Sequence, residues 1–67
     1  METTEEKNIR RNENLHTIEE LQADGNKLNF YSVDSIRMKR GKTITNYVLK
    51  DWKDKFYWYP VSANTIQ

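Results

Sequence analysis

Between Lys27 and Tyr59 the chain holds one glycine, Gly41, and no proline. On either side of it lie β-branched and aromatic residues: Phe30, Tyr31, Val33 and Ile36 before, then Thr43-Ile44-Thr45-Asn46-Tyr47-Val48-Leu49 and Phe56-Tyr57-Trp58-Tyr59 after. Such residues suit a pleated, half-buried surface, so the segment reads as strands. Glycine adopts positive φ without a Cβ penalty, which makes Gly41 the natural reversal point. A three-residue loop, Lys39-Arg40-Gly41, puts glycine at the position that needs positive φ and pairs Ile36 with Ile44 and Arg37 with Thr43.

Side chains alternate along a strand, so this register sorts them by face. Leu28, Phe30, Ile36, Met38, Ile44, Val48 and Trp52 form the expected core side. Tyr31, Ser35, Arg37, Lys39, Thr43, Thr45 and Tyr47 fall on the other, which is cationic, hydroxylated and carries two tyrosines. The parity leaves Asn46 and Lys50 inside and Val33 and Leu49 outside, and a bulge or bend near Ser32-Val33-Asp34-Ser35 repairs part of this. A second turn around Asp51-Trp52-Lys53-Asp54 leads into a third strand, Lys55 to Tyr59, which Pro60 either ends or confines to an edge. Its register stays open between Phe56 and Trp58 inward and Tyr57 and Tyr59 inward.

Ahead of the strands, Thr17 and Glu20 have the spacing of a capping box, and Gly25 suits the end of a helix, so a short helix is expected over residues 17 to 24. A strand from Leu15 to Leu21 with an Asp24-Gly25 turn is the rival, opposed by the paired Glu19-Glu20 and the lack of alternation. Residues 1 to 13 offer one large apolar side chain, Ile9, after Met1, and read as a disordered tail. The alternative, a helix starting at Thr3 with Glu6 as its box partner, is opposed by Asn8, Asn12 and Asn14, whose side chains compete with the backbone for hydrogen bonds. The expected fold is thus α+β: a tail over 1–13, then one small domain over 14–67. In it a short N-terminal helix packs on a three-stranded antiparallel meander.

A domain of 67 residues buries only about 60% of the surface its unfolded chain exposes, so stability is marginal. With no cysteine and one histidine, His16, neither disulfides nor a thiolate or histidine-rich metal site can compensate, and no cofactor is expected. Self-association is the remaining remedy, and a homodimer is expected. The acidic opening Met1-Glu2-Thr3-Thr4-Glu5-Glu6 lacks an apolar stretch, and no run is long enough to cross a bilayer, so a cytoplasmic protein without a membrane partner is expected.

Net charge is only +1, but it is unevenly spread. Residues 1–26 hold seven acids against three bases (−4), and residues 27–67 hold eight bases against three acids (+5). Either the acidic half folds over the basic one, or the basic half meets an anionic partner.

Catalytic chemistry finds little footing. Ser32, Ser35 and Ser62 have no histidine near them in sequence, Glu19 and Glu20 diverge on a helix, and no glycine loop can cradle a phosphate, so an enzyme is not expected. The crowded cations Arg37, Lys39, Arg40 and Lys42 gain most from a phosphate backbone, and a two-stranded ribbon fits a major groove. The favoured function is therefore a non-enzymatic nucleic-acid-binding module, DNA or RNA. Those four residues with Lys53 and Lys55 would contact phosphates, and Tyr31 and Tyr47 would offer stacking surface. The alternative is a small accessory regulator or inhibitor that binds a protein through Phe56, Tyr57, Trp58 and Tyr59, or through a sheet edge.

Overall fold

The computed structural model describes residues 2 to 65. The fold is α+β, with two short helices and a four-stranded antiparallel sheet in place of one helix and three strands. Helix α1 spans Thr4–Asn12 and helix α2 Ile18–Ala23; strands β1 Lys27–Tyr31, β2 Ser35–Arg40, β3 Thr43–Trp52 and β4 Lys55–Thr65 follow in the spatial order β1-β2-β3-β4.

Helix α1 occupies the segment expected to be a disordered tail. Its sequence orders itself at both ends: the Thr3 hydroxyl accepts the Glu6 amide at 3.1 Å, Glu5 and Glu6 sit in the first turn, and Arg10 and Arg11 sit in the last. This charge order follows the helix dipole. Such terms are worth about 1 kcal/mol each, and the decisive contact is tertiary, through Arg10.

Helix α2 follows the expectation from spacing. Both halves of the capping box form: Glu20 N–H donates to the Thr17 hydroxyl and Thr17 N–H to the Glu20 carboxylate, each at 3.1 Å. Between the helices, His16 exchanges two backbone hydrogen bonds with Trp58, N–H to carbonyl at 3.0 and 2.7 Å. The chain thereby runs along the outer edge of β4 before turning into α2.

The first expected strand is in fact two. Ser32 and Ser35 close a turn, with the Ser32 amide and hydroxyl both donating to the Ser35 carbonyl, at 2.8 and 2.9 Å. Instead of a bend within one strand, this turn sends β1 back along β2. Polar Ser-Val-Asp-Ser is a turn signal, because short hydroxyl and carboxylate side chains bond their own backbone.

The register at Gly41 also differs. The reversal uses the two residues Gly41 and Lys42, with Arg40 opposite Thr43, Lys39 opposite Ile44 and Ile36 opposite Tyr47. Gly41 has φ +59 and Lys42 is not in the positive region, the pattern of a type II′ turn, whose twist matches that of the strands. Relative to the expected register the pairing slides by three residues. An odd slide turns every β3 side chain over. Tyr47 and Leu49 therefore join Ile36 and Met38, while Ile44, Asn46, Val48 and Lys50 face the other way.

The core lies under α2 and consists of Leu21, Ile36, Met38, Tyr47 and Trp58, with Ile18 and Leu49 packed against it. Ile36 and Met38 are fully buried, each worth about 1.5–3 kcal/mol. In β4, Trp58 pairs with Leu49 and faces this core, which settles the third-strand register with Phe56 and Trp58 on one face and Tyr57 and Tyr59 on the other. The strand continues through Pro60 to Thr65, with Val61 as an unpaired bulge residue between Pro60 and Ser62. A second bulge at Asn29 separates Leu28, opposite Met38, from Phe30, opposite Arg37, so these two no longer share a side. The β3–β4 turn holds Lys53 and Asp54 at φ +51 and +63, a type I′ pair. Among the described residues, no helix is long and apolar enough to cross a membrane.

Candidate functional site

Residues directly opposite one another in adjacent strands share a face, so the register defines the sheet's second surface. On the side away from α2 it carries Lys27 and Phe30 from β1, Arg37 and Lys39 from β2, Ile44, Asn46, Val48, Lys50 and Trp52 from β3, and Lys55, Tyr57, Tyr59, Ser62 and Asn64 from β4. No Asp or Glu of a strand faces that way: the only strand carboxylate, Asp51, pairs with Phe56 on the opposite face.

Cations and rings are matched on this surface. The Arg37 guanidinium carbon lies 4.6 Å from the Phe30 ring centroid, and the Lys50 ammonium lies 5.1 Å from that of Tyr59. Both aromatics stay partly open to solvent, and Arg37 and Lys50 are exposed. Asn46 donates its amide N–H to the Ser62 hydroxyl at 2.8 Å, filling the middle of the face with polar groups. Lys27 stands directly opposite Lys39, a like-charge pair that costs stability unless an anion relieves it.

Both ion pairs among the described residues belong to Arg10, on α1. Arg10 is 2% exposed and uses all five of its N–H donors. They reach both carboxylate oxygens of Glu2 at 2.7 and 2.9 Å, both oxygens of Glu20, and the Leu15 carbonyl at 2.9 Å. Its guanidinium also covers the Tyr57 ring at 4.7 Å. Hydrogen bonds from Arg10 pull the Glu20 carboxyl down to about 2 and lower that of Glu2 as well. Burial lowers the His16 imidazole. This cluster fastens α1 to one end of the second face.

The acidic half thus does fold over the basic half: α2 covers one face of the sheet, and α1 covers the second face only at that end. Glu2 and Glu6 line a pocket with Trp52, Lys53, Lys55 and Tyr57; at about 60 Å³ it is far smaller than a nucleotide needs. Lys53 and Lys55 have these acids beside them, whereas Lys27, Arg37, Lys39 and Lys50 have no carboxylate in ion-pair contact among the described residues.

The expected residues are therefore divided. Arg37 and Lys39 lie on the open face. Arg40, opposite Thr43, points to the α2 side, and Lys42 sits in the turn between them. Tyr47 is a core residue, because the register turns it inward. Tyr31 is 59% exposed but meets Trp58 edge-on, ring centroids 6.3 Å apart, on the α2 side. Of the alternative aromatic set, Tyr57 and Trp58 are buried on opposite faces, Tyr59 is half-buried and Phe56 alone is 67% exposed.

Lys27, Phe30 and Lys50 were not singled out for this role from sequence. Asn46 and Lys50 carried a signal nonetheless, since assigning both to a core was the mark of a register slipped by an odd number. Among the described residues no group of three or more His, Cys, Asp or Glu side chains could hold a metal ion. The chain matches no protein family, no curated protein and no solved structure.

Proposed function

We propose that this protein is a non-enzymatic nucleic-acid-binding module whose contact surface is the sheet face opposite α2. The observation that carries the reading is the set Lys27, Arg37, Lys39 and Lys50, exposed and without a carboxylate partner among the described residues, interleaved with Phe30 and Tyr59. Phosphates would relieve the Lys27/Lys39 repulsion, and counterion release would drive association. Arg40 and Lys42, at the end of the same hairpin, extend the positive field toward the turn. Lys53 and Lys55 contribute less, because Glu2 and Glu6 adjoin them.

The test is fluorescence anisotropy of labelled oligonucleotides across a salt series. Four phosphates neutralised on a single strand give a slope of log affinity against log salt of about −3. Arg37→Glu combined with Lys50→Glu removes binding while the urea midpoint stays near that of the wild type. Flat traces for every oligonucleotide at low salt refute the reading.

The edge of β1 favours a second reading, that of a small accessory regulator. All five residues of this strand are exposed, and Leu28, Tyr31 and the adjoining Val33 form an apolar margin beside an unpaired backbone edge. Such an edge can accept a strand from another protein. A proline at Tyr31, which blocks edge pairing but leaves the cationic face intact, separates the two readings: it abolishes protein capture and spares oligonucleotide binding.

A further inference from the structure

We infer that the nucleic acid this face takes is single-stranded, with bases laid across the sheet at the Arg37/Phe30 and Lys50/Tyr59 pairs. This rests on the nucleic-acid reading and narrows it to one form of the ligand.

The topology argues against a duplex. A two-stranded ribbon can enter a major groove only if it projects beyond the rest of the sheet, and β2–β3 does not project. The sheet order puts both strands in the middle. On one side β1 reaches Lys27 opposite Lys39, and on the other β4 reaches Thr65 opposite Thr43, so both flanks extend nearly to the Gly41-Lys42 turn. Four strands at about 4.8 Å spacing span about 14 Å between outer axes, before side chains are counted. A B-form major groove is about 12 Å wide. The hairpin cannot seat itself there without the neighbouring strands striking the backbone.

The face itself is built for unpaired bases. Phe30 on β1 and Tyr59 on β4 lie on the two outer strands, one pleat apart along the strand direction, because Phe30 shares a row with Arg37, Asn46 and Ser62 while Tyr59 pairs with Val48 in the next. Three strand spacings and one pleat put them about 16 Å apart, the reach of two to three nucleotides of an extended strand. A duplex hides its base planes and has no use for exposed rings. A single strand presents them, and bases stack on aromatic side chains and on arginine guanidinium planes. The Arg37 guanidinium, already over Phe30 at 4.6 Å, prolongs that surface. Between the two rings, the Asn46 and Ser62 pair offers hydrogen bonds to base edges or to the backbone, and Lys27, Lys39 and Lys50 bracket the path with charge.

The experiment compares one fluorescein-labelled 12-nucleotide DNA, the RNA of the same sequence and the DNA annealed to its complement, against the purified full chain. The wild type is expected to bind at least one single strand tenfold or more tightly than the duplex. Phe30→Ala and Tyr59→Ala are each expected to weaken single-strand binding about tenfold and to leave any duplex binding unchanged. Phe30 is already half open to solvent, so its removal tests the contact rather than the fold; a urea midpoint checks Tyr59→Ala, and Tyr59→Phe should retain single-strand affinity. Equal or tighter duplex binding, or alanine variants that bind single strands like the wild type, overturns the inference and leaves nucleic-acid binding standing. Absence of binding to all three probes at low salt overturns both.

Discussion

Arg10 and Glu20 sit ten residues apart on different helices and face each other through two N–H···O contacts, the second from Nη2 at 2.8 Å. The same Glu20 carboxylate receives the Thr17 amide and so completes the cap of α2. One carboxylate therefore starts the second helix and holds the first. With Glu2 on the other side and Tyr57 beneath, Arg10 is what joins α1 to the sheet.

Removing Arg10 strands two carboxylates that keep 15% (Glu20) and 24% (Glu2) exposure, so the about 3–5 kcal/mol cost of breaking a fully buried pair is an upper bound. A domain of this size has only about 3–10 kcal/mol in total. Arg10→Ala is therefore expected to remove a large share of that stability, as followed by tryptophan fluorescence in urea. Arg10→Lys keeps the charge but loses the bidentate forks, so it should fall between alanine and wild type. A midpoint for Arg10→Ala within error of the wild type would show that α1 is held by something else.

Acid should act through the same cluster. Glu20 titrates at about 2 in the fold against an ordinary 4.5, and Glu2 and His16 are also lowered. All three bind protons more readily when unfolded, so stability rises with pH across their windows. The urea midpoint should decline slightly as pH falls below the ordinary His16 value of 6.5, then steeply from 4.5 toward 2 as Glu20 is protonated in the unfolded chain. Glu20→Gln should be less stable at pH 7 and should lose most of the steep limb. A wild-type midpoint constant between pH 7 and 3 contradicts this assignment.

Local signals were legible in the sequence and non-local ones were not. The Thr17/Glu20 cap and the reversal at Gly41 depend on residues within a few positions of each other, and both appear where spacing puts them. Helix α1 had a local signal in Thr3 and Glu6, outweighed by Asn8, Asn12 and Asn14; its anchor is the meeting of Arg10 with Glu20 and Tyr57, which no local pattern encodes. The register was missed because glycine fits a two-residue type II′ turn and a three-residue loop alike, and only the burial of a whole strand decides between them. The same slip accounts for the site: Arg37 and Lys39 stayed outward under either register, while Tyr47 exchanged places with Lys50.

That exchange can be measured. Tyr47 is buried in the core cluster, whereas Ile44 lies on the open face and is only partly buried. Tyr47→Ala should cost about 3–5 kcal/mol, the range for deleting a buried aromatic ring. Ile44→Ala should cost less, toward the lower end of the about 2–5 kcal/mol range for truncating a buried aliphatic side chain, since Ile44 keeps part of its surface in water and lies outside the core cluster. Urea midpoints with unchanged slopes give both numbers, and the reverse ranking would restore the register that pairs Ile36 with Ile44.

The pairing of Lys27 with Lys39 separates a functional charge from a decorative one. Two ammonium groups directly opposite on adjacent strands repel, so in the isolated protein Lys39→Glu should replace repulsion by attraction and raise stability by about 0.2–1 kcal/mol. If the open face exists to meet phosphates, the same substitution reverses one of the set Lys27, Arg37, Lys39 and Lys50 and should weaken oligonucleotide binding at least tenfold at low salt. A higher urea midpoint with a lower affinity is the signature of a residue kept for binding at the expense of the fold. Higher stability with unchanged affinity would mean that Lys39 is only solvated surface charge on a central strand.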